Sequence, residues 1–206
     1  MINVKELYIY NDIKYLDKKL YQYIKYNYFN DIYSVFFNAM QHIKKQIDIY
    51  KVNNLKTLKP LCCVLDLDET FFQNDSFLYN TLHIWEYNND LYKFYKSPTF
   101  INKSFGPILP FMYILYSYLI QKNIQIIFLS GRHEKFRQLT IDNLDFFNID
   151  KKNYKLILNK TTMPSDLYKQ YYINKISNDY DIILCLNDQN EFSHKNLIQT
   201  PQIYKI

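Results

Sequence analysis

Asp66 and Asp68 stand two residues apart at the end of the apolar run over 61–67, in the segment Asp66-Leu67-Asp68-Glu69-Thr70. Carboxylates at i and i+2 can both face a ligand if the chain turns there. One can attack a phosphorus atom and carry an aspartyl-phosphate. The other can protonate the leaving oxygen and later take a proton from the attacking water. A third carboxylate, Asp188, would complete a hard-oxygen site for magnesium, Mg²⁺. Ser130, the backbone N–H groups after it and Lys169 would offer donors to a transferring phosphoryl group. Asp-x-Asp alone is common in solvated loops, so the chemistry depends on all of these residues meeting.

Residue scarcity marks a second place. Tyr, Asn, Ile and Lys are used heavily, as in an AT-rich coding sequence of a large virus or an AT-rich microbe. Gly occurs twice, at Gly106 and Gly131, and Arg twice, at Arg132 and Arg137. Gly serves where φ is positive or where a backbone must approach something closely. Arg differs from Lys in its planar fork of donors. Gly131, Arg132 and Arg137 fall close together, which points to a site around residues 130–137.

The elements that must position these residues follow from periodicity. Residues 3–24 and 27–48 read as amphipathic helices; in the second, Phe29, Ile32, Tyr33, Phe36, Phe37, Met40, Ile43 and Ile47 recur at spacings of three and four. A polar connector follows over 51–60. Strands are expected over 61–67, 124–129, 154–158 and 181–186, with helices over 108–122, 133–147 and 165–177, the last with Ser165 as N-cap. A short edge strand can follow near the end. Residues 71–105 read as a long irregular insertion, or cap, with Trp85 near its middle. Strands alternating with helices predict an α/β fold, a parallel sheet with helices on both faces. Ligands of such sheets bind outside the carboxyl ends of the strands, where Asp66, Asp68, Ser130, Asn187 and Asp188 fall.

Bulk properties narrow the class. A chain of 206 residues, 48% hydrophobic and 22% charged, suits one globular α/β domain rather than a disordered chain. The net charge of +5 is spread out, with no lysine run of nucleic-acid-tail type, and suits an anionic substrate. No stretch reaches the length of a membrane span, and the N-terminus lacks an apolar core of signal-peptide type. Cys62, Cys63 and Cys185 sit in apolar runs and read as buried reduced thiols, so a cytoplasmic location is expected.

Together these motifs resemble the haloacid dehalogenase (HAD) superfamily of phosphohydrolases. VLDLDET (Val64 to Thr70) is similar to its first motif, hhhDxDxT, and FLSGR (Phe128 to Arg132) to its second. Lys169 fits the third motif, and LCLNDQ (Leu184 to Gln189) the acidic fourth. Within the superfamily the chain resembles the acid phosphatase group of subfamily IIIB, which holds bacterial class B and class C enzymes and plant vegetative storage proteins. DLDETFFQN, the stretch SGRHEKFRQLTIDNL, the Tyr168-Lys169 pair and the ending IQTPQIYKI carry that likeness. The resemblance implies a three-layer Rossmann-like HAD fold. Its parts would be an N-terminal helical region over 1–57, a catalytic core over 58–206 and a cap insertion over 71–105.

Further implications concern residues. Asp66 would be the nucleophile and Asp68 the general acid/base. Asp66, the Asp68 carbonyl and Asp188 would hold Mg²⁺. Ser130, Gly131 and Lys169 would bind the phosphoryl group, with Thr70 bracing the first loop beside it. Asn74, Trp85 and Arg132 are candidates for contact with substrate or cap, and Trp85 with nearby tyrosines could stack on a nucleobase. The implied substrate is a small phosphate ester such as a nucleotide. There are departures. The family usually has Gly at 187, where Asn could also take a positive φ. Its second acid in the fourth motif would fall at Phe192. Two other readings stay open: a polynucleotide 3′-phosphatase, which shares Ser-Gly-Arg but usually has Gly at 69, and a weakly active storage or binding protein.

Overall fold

A computed structural model describes the chain over residues 28–52, 59–72, 108–188 and 193–200. Helix α1 spans Tyr28–Val52, four residues beyond the expected end. Ile32, Ala39 and Ile43 form its fully buried stripe. Strand β1 follows at Leu61–Leu65. Helix α2 spans Pro110–Gln121 and opens on Pro, whose fixed φ and missing N–H suit a first helical turn. Strand β2 is Gln125–His133, and a 3₁₀ turn at Glu134–Phe136 leads into helix α3, Arg137–Phe146. Strand β3 is Tyr154–Asn159, helix α4 Ser165–Asp179, strand β4 Asp181–Asn187 and strand β5 Leu197–Gln199. The expected first helix over 3–24 lies outside the described residues.

Glycine scarcity shows at the helix ends. α2 and α3 both stop on asparagine in the left-handed region, Asn123 at φ 54° and Asn148 at φ 59°. Ile124 N–H then reaches back to Leu119 O, and Ile149 N–H to Leu144 O, each at 3.0 Å. Glycine usually ends helices in this way, and asparagine is the residue next best able to do so.

The five strands form one sheet in the order β3-β2-β1-β4-β5, every pair parallel. Alternate residues serve opposite faces. Cys63, Leu65, Ile126 and Phe128 pack with α1, α2 and Leu144 of α3. Cys62, Val64, Ile127 and Leu129 pack with Tyr168, Ile173 and Ile176 of α4. This is the expected α/β architecture of three layers. Residue Ile183 is the extra one where the β1–β4 register slips, Cys62 pairing with Ile182 and Cys63 with Leu184.

The strand order locates the site. From β1 the chain winds outward through β2 to β3, then crosses back to place β4 on the other side of β1. Crossovers of one hand put α2 and α3 on one face and α4 on the other once the direction reverses. The reversal between β1 and β4 is the switch point where parallel sheets open a crevice for ligands. Asp66 directly follows β1 and Asp188 directly follows β4.

Two residues that the sequence assigned to the insertion over 71–105 lie in the core. Phe71 and Phe72 are core residues rather than cap residues, 1% and 0% exposed. The Phe71 ring meets Phe128 edge-on at 4.9 Å. Phe72 bridges Ile108, and Leu109 N–H donates to Phe71 O at 3.1 Å, so the chain leaves and returns at one point. Residues 73–107, with Asn74 and Trp85, lie outside the described residues. Among the described residues, no helix is long and apolar enough to cross a membrane.

Candidate active site

Past β1 the chain turns at once. Phe71 and Phe72 N–H groups both donate to Leu67 O, at 2.9 and 2.8 Å, which curls Asp66 to Thr70 over the strand end. Glu69 lies in the left-handed region at φ 57°, a sparsely populated conformation for a residue with a Cβ. Thr200, just past β5, holds this curl. Its hydroxyl lies 3.4 Å from Glu69 O and 3.3 Å from the Thr70 hydroxyl. Thr70 is fully buried there.

The curl fixes Asp66 at 5% exposure. Its Oδ1 accepts from Leu67 N–H at 2.8 Å, and its Oδ2 accepts from Lys169 Nζ at 2.9 Å. Lys169 comes from α4, is 3% exposed and also donates to Asn187 Oδ1 at 3.0 Å. The nucleophile candidate, the lysine and the end of β4 are therefore one buried cluster. Asp188, 4% exposed, follows it, its carbonyl accepting from Gln199 Nε2 at 3.2 Å.

Asp68 points elsewhere. Arg132 grips both of its oxygens, Nε to Oδ2 at 2.8 Å and Nη2 to Oδ1 at 2.5 Å. Such a planar fork fixes the carboxylate's orientation as well as its charge. Burial works against the Arg132 charge, but Asp68 and then Asp66 outweigh it and hold its pKa above the ordinary value. A register slip explains the reach. Ser130 pairs with Leu158 and His133 with Asn159, leaving Gly131 and Arg132 as extra residues on β2. Bulges beside active sites commonly re-aim side chains in this way. The Ser130 hydroxyl, nearly fully buried, accepts from Arg132 N–H at 3.2 Å.

Several expectations are sharpened or corrected. Gly131 does not adopt positive φ. A Cβ there would sit 2.9 Å from Ser165 Oγ, so glycine allows β2 and α4 to approach. Ser165 is the first residue of α4 rather than its cap; Pro164 holds the cap position, with no side-chain hydrogen bond. Arg137 faces away from the carboxylates. It pairs with Glu134 at 2.5 and 2.9 Å and donates twice to Leu156 O at 3.2 Å, tying α3 to β3. The arginine cluster therefore splits into one site residue and one structural tie. Asn187 does not take the left-handed conformation, and its side chain binds Lys169 instead. Phe192 lies outside the described residues.

A hard divalent cation fits the donor set. Asp66 and Asp188 stand buried on neighbouring strand ends, and with Asp68 they set three carboxylates against two cations, Lys169 and Arg132. Among the described residues no three His, Cys, Asp or Glu side chains form a ready cage.

A five-stranded parallel sheet with a carboxylate, lysine and Ser-Gly-Arg rim at its switch point is an arrangement suited to binding a phosphoryl group. A profile of the HAD superfamily, subfamily IIIB (Acid phosphatase), matches residues 9–201, and the chain belongs to that family. It is thus an acid phosphatase of the HAD superfamily, a phosphomonoesterase, and phosphatases of this superfamily generally use a divalent metal. The fold is similar to that of the class C acid phosphatase from Bacillus anthracis, at 19% identity and TM-score 0.63, covering 84% of this chain and 67% of that one. The tungstate-bound structure of the Bacillus anthracis class C enzyme matches at 19% identity and TM-score 0.64, covering 85% and 70%. No curated protein matches the chain.

Proposed function

We propose that the protein is a Mg²⁺-dependent phosphomonoesterase of small phosphate esters, nucleotides among them, working through an aspartyl-phosphate on Asp66. The observation that carries this is the buried Asp66 carboxylate at the switch point, with Lys169 at 2.9 Å. In the first step an Asp66 oxygen bonds to phosphorus as the ester P–O bond breaks, and Asp68 gives the leaving oxygen a proton. In the second step water, losing a proton to Asp68, attacks phosphorus and the Asp66–phosphorus bond breaks. Lys169, Ser130 and the N–H groups after Ser130 neutralise charge on the phosphoryl oxygens. Arg132 keeps Asp68 oriented between the two steps. The cation, held by Asp66, Asp188 and the Asp68 carbonyl, would offset repulsion between carboxylate and phosphate.

Purified protein with Mg²⁺ is expected to release phosphate from an aryl phosphate. EDTA should reduce the rate by at least about a hundredfold, with Mg²⁺ restoring it. Undiminished turnover in EDTA would remove the metal from the scheme. A reducing cytoplasm suits the three buried thiols. Burial pushes Cys62 up to about 12 and holds Cys63 and Cys185 well above the ordinary thiol value, so they are inert.

A further inference from the structure

We propose that Asn187 is a positioning residue for Lys169, holding its ammonium between the nucleophile and the end of β4. This rests on the reading of Lys169 as a phosphoryl-binding group. Lysine carries a flexible four-carbon stem and a compact charge that any nearby acceptor can draw. Lys169 is 3% exposed, so protein acceptors rather than bulk water direct its ammonium. Asp66 Oδ2 is one acceptor at 2.9 Å, and Asn187 Oδ1 is another at 3.0 Å. An ammonium has donors and no acceptor, so it must meet the amide oxygen of Asn187 and not its NH₂.

The backbone gives Asn187 no other distinction. Its carbonyl accepts from Thr200 N–H at 2.9 Å, a bond any residue could make, and its φ is not left-handed. What distinguishes it is the side chain, which is 0% exposed and bonds to Lys169. A neutral acceptor also suits the place. A carboxylate at 187 would add a third buried negative charge beside Asp66 and Asp188 and would compete with a phosphoryl group for the lysine.

The test is a cycle of four proteins: native, Asn187→Ala, Lys169→Met and the double variant. With aryl phosphate and saturating Mg²⁺, Asn187→Ala should lower kcat/KM about tenfold in the native background and no more than about twofold once Lys169 is gone. Inhibition by inorganic phosphate should weaken by a similar factor, again only when Lys169 is present. A purely structural role would lower both backgrounds equally, and that result overturns the proposal. If the alanine variant fails to fold, Asn187→Gly carries the same test. If neither folds, Asn187 is a folding residue and the proposal fails. Full activity in Asp66→Asn would overturn the proposed mechanism itself. Additive losses at 187 and 169, with Asp66→Asn inactive, would overturn this inference alone.

Discussion

Asp66→Asn is expected to give a folded protein that has lost at least about a thousandfold of its phosphatase activity, the scale on which removing a nucleophile acts. An amide of nearly the same shape fills the curl after β1, but its nitrogen cannot attack phosphorus. The structural cost includes the negative charge that pairs with the buried Lys169 ammonium. Asp66 uses separate oxygens for Leu67 N–H and for Lys169, and asparagine has one oxygen to offer. Leaving the buried lysine without its charged partner costs about 3–5 kcal/mol, partly offset by weaker repulsion from Asp188. A domain of this size has about 5–15 kcal/mol of stability in hand, so the variant remains folded. Thermal unfolding read beside phosphate release separates the two effects. A folded Asp66→Asn protein with native turnover would exclude Asp66 as nucleophile.

Asp68→Asn is expected to divide substrates by leaving group. An alkyl phosphate needs a proton on its departing oxygen, and losing the general acid should cost about 10²–10⁴ in kcat. An aryl phosphate with an acidic phenol leaves without that proton, so its first step survives. The second step still lacks a base for water. A burst of phenol, equal to the enzyme present, should therefore precede slow turnover. The readout is phenol release at high enzyme concentration. Equal slowing of alkyl and aryl substrates with no burst would show that Asp68 serves orientation and not proton transfer. Arg132 sharpens this test, because its bidentate grip holds the Asp68 carboxylate by both oxygens.

Local signals made much of this legible. The apolar runs ending at Asp66 and Asn187, and the polar residues just beyond them, marked strands and their carboxyl ends. The N-cap at Ser165 failed because Pro164 already ends the preceding loop in extended backbone, leaving serine inside the first turn. The strand after Ile124 ran to His133 because Gly131 and Arg132 are absorbed as a bulge rather than starting a helix. Long-range contacts left no mark in the sequence. Arg132 meets Asp68 across 64 residues, and Thr200 meets Thr70 across 130. Periodicity reports which face a residue takes, not which distant loop it will touch. Asn187 was visible as a polar residue at a strand end, but its partner emerged only when α4 was laid against the sheet.

The most direct measurement is the fate of the phosphoryl group. Asp68→Asn protein should be mixed with an aryl phosphate, quenched in acid and reduced with borohydride, which converts an acyl phosphate to an alcohol. Peptide mass spectrometry should then find homoserine at position 66, dependent on substrate and absent from the protein carrying Asp66→Asn as well. An aspartate at 66 left unchanged, in protein that shows a phenol burst, would contradict a covalent intermediate at Asp66.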